Sequence, residues 1–133
     1  MIVADTGVWI DYLRGPRTPR TDRLDLALDD GVALTDIVLT ELLQGLGENE
    51  VRPMEHLLGA FPVLRLESLE DFRRSAALYR AARAAGRTVR RTTDCLIASV
   101  CIRENIPLLH ADRDFDTLAG VSDLVVVPVA DGD

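Results

Sequence analysis

The chain has 133 residues, 47% hydrophobic and 5% aromatic, with a formal net charge of -7. That length suits one unit with one aliphatic core, and the composition is too apolar for a disordered chain. The acidic balance argues against a general nucleic-acid coat, and no apolar run is long enough to span a bilayer.

In chain order, Ile2-Val3-Ala4 reads as a short buried strand that ends at Asp5. An acid so soon after the first residue argues against a secretory signal. Thr6 can cap a helix carrying Val8, Trp9, Tyr12 and Leu13 at helical spacing, closed by Gly15-Pro16. A loop is expected through Arg20, then an acidic helix over 21–30 with Leu24 and Leu28 facing inward. Val32 to Leu34 is a second strand. A helix from Thr35 or Asp36 carries Ile37, Val38, Leu42 and Leu43 toward Gly45 and Gly47.

Residues 50–60 form a further helix, with Pro53 tolerable only near its start. Val63 to Leu66 is a third strand. Ser68-Leu69-Glu70-Asp71 resembles a capping box opening a long helix with Phe72, Ala76, Tyr79 and Ala82, which ends at Gly86. After an arginine loop comes a helix capped by Thr92 or Thr93 and opened by Asp94. Cys95 and Cys101 lie six apart on it, face different sides and are not expected to pair, as suits a reducing cytoplasm. Ile106 to Leu109 is a fourth strand, Asp112 to Asp116 opens a short helix, and Leu124 to Val129 is a last strand. Short apolar strands alternating with helices predict an α/β fold with a mainly parallel, doubly wound sheet and no domain boundary across 1–133.

In such sheets ligands bind beyond the carboxyl ends of the strands. Asp5 follows the first strand and Asp112 the fourth, so both point to one edge. Glu41 and Asp94 lie near the starts of helices that open at that edge. Converging carboxylates repel unless cations neutralise them. Hard oxygen ligands suit Mg²⁺ or Mn²⁺, which can activate a water for phosphodiester cleavage. Each acid also has a plainer reading: Asp5 as a cap, Glu41 at a helix edge, Asp94 and Asp116 as helix-start charges, and Asp112 and Asp114 in a turn. His110 reads as a satisfied strand-end histidine. Asp112, Asp114, Asp116 and Asp123 fall at places one, three, five and twelve of a calcium loop, but Thr117 stands where that loop needs glycine. No P-loop is possible in a chain without lysine, and there is no Gly-x-Ser-x-Gly elbow.

Met1 to Thr6, Thr40-Glu41-Leu42, Thr93-Asp94-Cys95-Leu96-Ile97-Ala98 and His110-Ala111-Asp112-Arg113-Asp114-Phe115 resemble the motifs of PIN-domain ribonucleases. Size and motif order resemble the VapC toxins of bacterial toxin–antitoxin pairs. The resemblance implies a three-layer α/β/α fold and a Mg²⁺- or Mn²⁺-dependent endoribonuclease. It implies Asp5, Glu41, Asp94 and Asp112 as the catalytic quartet, and Asp5, Asp94, Asp112 and Asp114 as metal ligands. It also implies a homodimer and a VapB-type antitoxin over the active site. Gly7 stands where relatives carry a serine, so that hydroxyl is lost. The competing class is a PIN-like module that binds RNA or a partner without cutting, but such a module gains nothing from four mutually repelling carboxylates.

Two surfaces carry further expectations. Trp9 and Tyr12 are interface-type residues, placing the helix from Val8 to Leu13, with the acidic helix after it, in an antitoxin groove, though both residues also suit a core. All 15 basic residues are arginine. Arg80, Arg83, Arg87, Arg90 and Arg91 lead directly into Asp94. Arg87, Arg90 and Arg91 are expected to hold RNA phosphates beside the metals, so replacing Arg90 and Arg91 with Ala should weaken RNA binding and leave metal affinity nearly unchanged.

Overall fold

The structure is a computed structural model, and it describes residues 1–129, so residues 130–133 of the expected domain lie outside it. The elements run β1 (Ile2–Ala4), α1 (Thr6–Arg14), α2 (Pro19–Asp30), β2 (Val32–Thr35), α3 (Asp36–Gln44), α4 (Glu48–Leu58), β3 (Val63–Leu64), α5 (Leu69–Ala84), α6 (Thr92–Glu104), β4 (Leu108–Leu109) and α7 (Arg113–Gly120). The sheet has the order β3-β2-β1-β4, and every pair is parallel. Ile2 pairs with Val32, Val3 with Leu108, and Leu34 with Val63.

Every residue of β1, β2 and β4 is buried. A parallel strand covered on both faces is apolar on both, which is why these segments are aliphatic throughout except for Thr35 at the end of β2, whose hydroxyl caps α3. The core joins Val3, Leu34, Leu108 and Leu109 to Val8, Trp9, Leu24, Val38, Ile97, Phe115 and Leu118 of the helices. Each fully buried Leu, Val or Phe contributes about 1.5–3 kcal/mol relative to leaving it in water.

Several expectations shift. β3 and β4 keep only two residues each, α4 starts at Glu48, and Asp5 rather than Thr6 stands at the cap of α1. Three further changes bear on the packing. The last strand reduces to one parallel bridge, Leu108 to Val126. β4 offers only two residues to pair with, and Leu108 spends both its backbone groups on Val125 O and Val127 N–H. The second helix starts two residues early, at Pro19, because Thr18 and Thr21 form a reciprocal cap with proline in the first turn. The third shift is the face of α5. Its buried residues are Asp71, Ser75, Leu78 and Ala82, whereas Phe72 and Tyr79 are exposed. Asp71 draws that face inward through two guanidinium partners, Arg74 and Arg103. Asp71 and Ser75 share that buried face with Leu78 and Ala82, so Ala82 is the one residue of the expected stripe that is buried.

Gly86 sits at φ +80°, a left-handed conformation that strains other residues, and there the chain turns out of α5 into the arginine loop. Val89 is buried in the core and pins the middle of that loop. Both cysteines are free and buried.

Candidate active site

Asp5 extends β1 by one bond, its N–H donating to Leu109 O at 2.9 Å, and its own carbonyl then starts α1. Its carboxylate makes no capping bond. Burial, with Glu41 and Asp112 adding repulsion, pushes its pKa up to about 6, while the Thr6 N–H and Arg91 pull the other way. Asp94 lies in the first turn of α6, whose cap is Arg91, so Thr92 and Thr93 fall inside the helix rather than capping it. It is 4% exposed, and its Oδ2 is buried without a hydrogen-bond partner. Burial first, then repulsion from Asp5, Asp112 and Glu41, raises its pKa to about 7 against the opposing charge of Arg91.

Asp112 follows β4 and caps α7, its Oδ1 accepting from Asp114 N at 3.0 Å. One oxygen each of Asp94, Asp112 and Asp114 fall within 4.8 Å of one another. Asp5 and Glu41 lie outside that triad but close enough to act on its charges. Glu41 is held in place by Thr6, whose hydroxyl donates to its Oε1 at 2.6 Å. The expected acids therefore gather at the carboxyl edge of the sheet, as strand order required. A carboxylate oxygen buried with no donor, clustered with two more carboxylates, fits a hard divalent cation, which accepts oxygen ligands and removes the repulsion.

The structure departs from expectation at Arg90. Its Nη2 donates to both oxygens of Asp112 at 2.8 Å, and its Nε and backbone N–H both donate to Asp114 Oδ2 at 3.0 and 3.2 Å. Burial alone would raise the pKa of Asp114, but these Arg90 donors hold it below the ordinary aspartate value. Arg90 thus belongs to the carboxylates, and the expectation that metal affinity is independent of it loses its basis. No spacing rule pairs residue 90 with 112; buried Val89 and Phe115 bring the loop and α7 together. Arg87 and Arg90 line a groove of 820 Å³ with Arg113, Asp114 and Asp116. Arg91 is exposed at the mouth of α6.

His110 does more than end a strand. Its Nδ1 accepts from Asp112 N at 3.2 Å, so Nε2 is the protonated nitrogen that meets Asp116 Oδ1 at 3.0 Å. Arg20 Nε donates to His110 O at 2.9 Å, tying α2 to the same turn. Trp9, in contrast, is core: it is 1% exposed and its ring meets Phe61 in a tilted contact at 5.5 Å. Tyr12 is half-buried, and its hydroxyl donates to Asp25 at 2.8 Å.

Residues 2–121 match the PIN domain family. Over 128 residues the chain is 36% identical to VapC ribonuclease Mb1587 of Mycobacterium bovis, covering 93% of this chain and 96% of that protein. The same identity and coverage hold for ribonuclease VapC11 of Mycobacterium tuberculosis. Among solved structures, FitAcB from Neisseria gonorrhoeae superimposes with a TM-score of 0.75 at 24% identity, over 96% of this chain and 97% of that one. VapBC2 from Rickettsia felis, bound to a DNA fragment from its promoter, gives 0.73 at 19% identity, over 96% and 98%. These structures share the fold, a parallel sheet between helical layers.

Proposed function

The chain belongs to the PIN-domain family and stands among the VapC ribonucleases, and from that premise we propose that it is a metal-dependent endoribonuclease acting as the toxin of a toxin–antitoxin pair. The observation that carries the reading is the buried, donor-free Oδ2 of Asp94 beside Asp112 and Asp114. A structural carboxylate finds donors; one left without them among like charges is built for a cation.

In this reading one PIN domain spans 1–133, and Asp5, Asp94, Asp112 and Asp114 hold Mg²⁺ or Mn²⁺. The bound ion supplies a more acidic water and neutralises charge that develops on the phosphodiester. Asp5, Glu41, Asp94 and Asp112 form the catalytic set. Glu41, with Oε1 fixed by Thr6, keeps Oε2 to orient a water or accept its proton. Arg87 and Arg90 hold the phosphates of a single strand along the groove between the arginine loop and α7, and Arg91, exposed at the start of α6, adds a third contact.

The partners follow from exposed surfaces. The groove between α1 and α3, lined by Ile10, Leu13, Leu42, Leu46 and Met54, ends at Glu41 and suits an apolar segment of a VapB-type antitoxin. A basic side chain of that antitoxin suits the acids, since they already accept a guanidinium from Arg90. A complex whose antitoxin touches neither α1 nor this edge would contradict the assignment. Phe72, Ala76, Tyr79 and Leu96 line an apolar groove of 420 Å³ on α5 and α6, the surface we assign to a homodimer. Tyr79→Asp is expected to sediment as a monomer; an unchanged dimer places the interface elsewhere. No described helix is long and apolar enough to cross a membrane, and a cytoplasmic location accords with the buried free thiols.

Incubation of the purified chain with total RNA tests the function. Cleavage is expected with Mg²⁺ or Mn²⁺, and none in excess EDTA or in Asp5→Asn. RNA that is bound and left intact under all conditions would favour the non-cleaving module instead.

A further inference from the structure

We propose that Arg90 is the internal counter-cation of the acidic site, and that a divalent ion enters by displacing its guanidinium from Asp112. The inference rests on the metal-site reading above and concerns how that site is controlled.

Asp112 and Asp114 are two residues apart at the start of α7, and left alone they would repel each other and Asp94. Arg90 reaches across from the loop between α5 and α6 and engages both. Its hold has two unequal parts. The backbone N–H and Nε both donate to Asp114 Oδ2, the inner acid, whose side chain is 8% exposed. The terminal Nη2 straddles both oxygens of Asp112, the outer acid, at 22%.

Lone pairs that accept guanidinium protons are not available to a metal in the same arrangement. A unit positive charge beside a divalent one is also repelled. Asp112 Oδ2 keeps a second lone pair, so it is the repulsion between the guanidinium and the ion that drives Nη2 off Asp112. The backbone bond to Asp114 survives that motion, because it depends on the loop and not on the side-chain rotamer. Val89, buried on the preceding position, keeps the loop in place.

The Arg90 side chain is 57% exposed, so the displaced guanidinium has a path to water. The groove it already lines also carries Arg87 and Arg113. A guanidinium released there adds a donor for phosphate at the moment the metal is in place. One residue thereby guards the acids in the metal-free protein and serves the substrate in the loaded one. Nη2 cannot hold Asp112 and a phosphate at once, and that exclusion makes the coupling two-way.

The test is Mn²⁺ binding, without RNA, by titration calorimetry, on wild type, Arg90→Ala, Arg90→Lys and Arg83→Ala. Arg83 lies over the Tyr79 ring at 5.9 Å and controls for net charge. Arg90→Ala should bind Mn²⁺ about tenfold tighter, equivalent to about 1.4 kcal/mol. Arg90→Lys, which keeps the charge but lacks the fork, should fall between, and Arg83→Ala should match wild type. Thermal melts cover the case of a weakened fold: Arg90→Ala should melt below wild type without Mn²⁺ and recover at saturating Mn²⁺. Equal or weaker Mn²⁺ binding by Arg90→Ala than by wild type overturns the inference and leaves the metal site standing. No Mn²⁺ binding by any of the four proteins overturns the metal-site reading, and the inference with it.

Discussion

α5 and α6 each bury an aspartate in the first turn, and the two are treated in opposite ways. Asp71, 1% exposed, is fully partnered: Glu67 N–H donates to Oδ2 at 2.8 Å, Arg74 donates to Oδ1 at 2.9 Å, and Arg103 donates to Oδ2. Ser99 of α6 donates to its carbonyl at 2.7 Å, so the cluster also locks the two helices together. Burial would raise the pKa of Asp71, but these donors bring it below the ordinary value. Asp94 is buried almost as deeply, has an oxygen with no donor, and is raised to about 7. Burial is therefore not what separates a structural acid from a functional one. The number of donors aimed at it is, and by that measure Asp71 holds the fold together while Asp94 strains it.

The largest expected contrast is in activity. Asp94→Asn should lose RNA cleavage by orders of magnitude, because a metal ligand is gone. Asp71→Asn should still cut RNA at temperatures where it is folded. Comparable loss of cleavage in both folded variants would erase the distinction. Stability should reverse the order. Asp71→Asn should cost about 2–3 kcal/mol in urea unfolding, below the full range for a broken buried pair because Arg74 and Arg103 reach water. A cost near zero would mean that the network adds nothing.

A smaller effect appears in pH dependence without metal. Asp5 and Asp94 have folded pKa values of about 6 and about 7, above the value of about 3.9 for an unfolded chain. Their contribution is therefore present in full below about pH 4 and is lost as pH rises through 6 and 7. Asp71, depressed, has the opposite sign: its contribution holds above about pH 4 and falls away in stronger acid. Metal-free protein should thus gain stability from pH 7.5 to 5 and lose it below 4. Asp94→Asn should flatten the first slope and be more stable at pH 7.5 by about 1 kcal/mol, less than the shift implies because the site relaxes and admits water. A wild-type melting profile that is level from pH 5 to 7.5 would contradict this. The smallest effect is in RNA binding. In the Asp94→Asn background, Arg87→Ala should reduce the magnitude of the salt slope by roughly 0.7. An unchanged slope would remove Arg87 from the phosphate path.

Asp5, Glu41, Asp94 and Asp112 were legible because each sits at a fixed offset from an apolar run, and strand order alone sends those offsets to one edge. The same logic misread α5. Its sequence presents Phe72, Ala76, Tyr79 and Ala82 as a stripe; Ala82 is buried, but the same face also carries Asp71, whose partners Ser99 and Arg103 lie on another helix and carry no local signal. Leu124 to Val129 reads as a strand by composition, but how long β4 is decides how much can pair with it. Arg90 could be placed beside Asp94 along the chain, but not on Asp112 and Asp114, because that contact joins the arginine loop to the start of α7 by tertiary packing. Trp9 has the chemistry of an interface residue, and only the position of Phe61 and the core reveals where it is spent.

Anomalous diffraction from crystals grown with Mn²⁺ tests the acidic site most directly. An ion touching Asp94 Oδ2 together with Asp112 and Asp114, with the Arg90 guanidinium turned off Asp112, is the predicted result. An ion bound away from Asp94, or Arg90 still seated on Asp112 at saturating Mn²⁺, would contradict it.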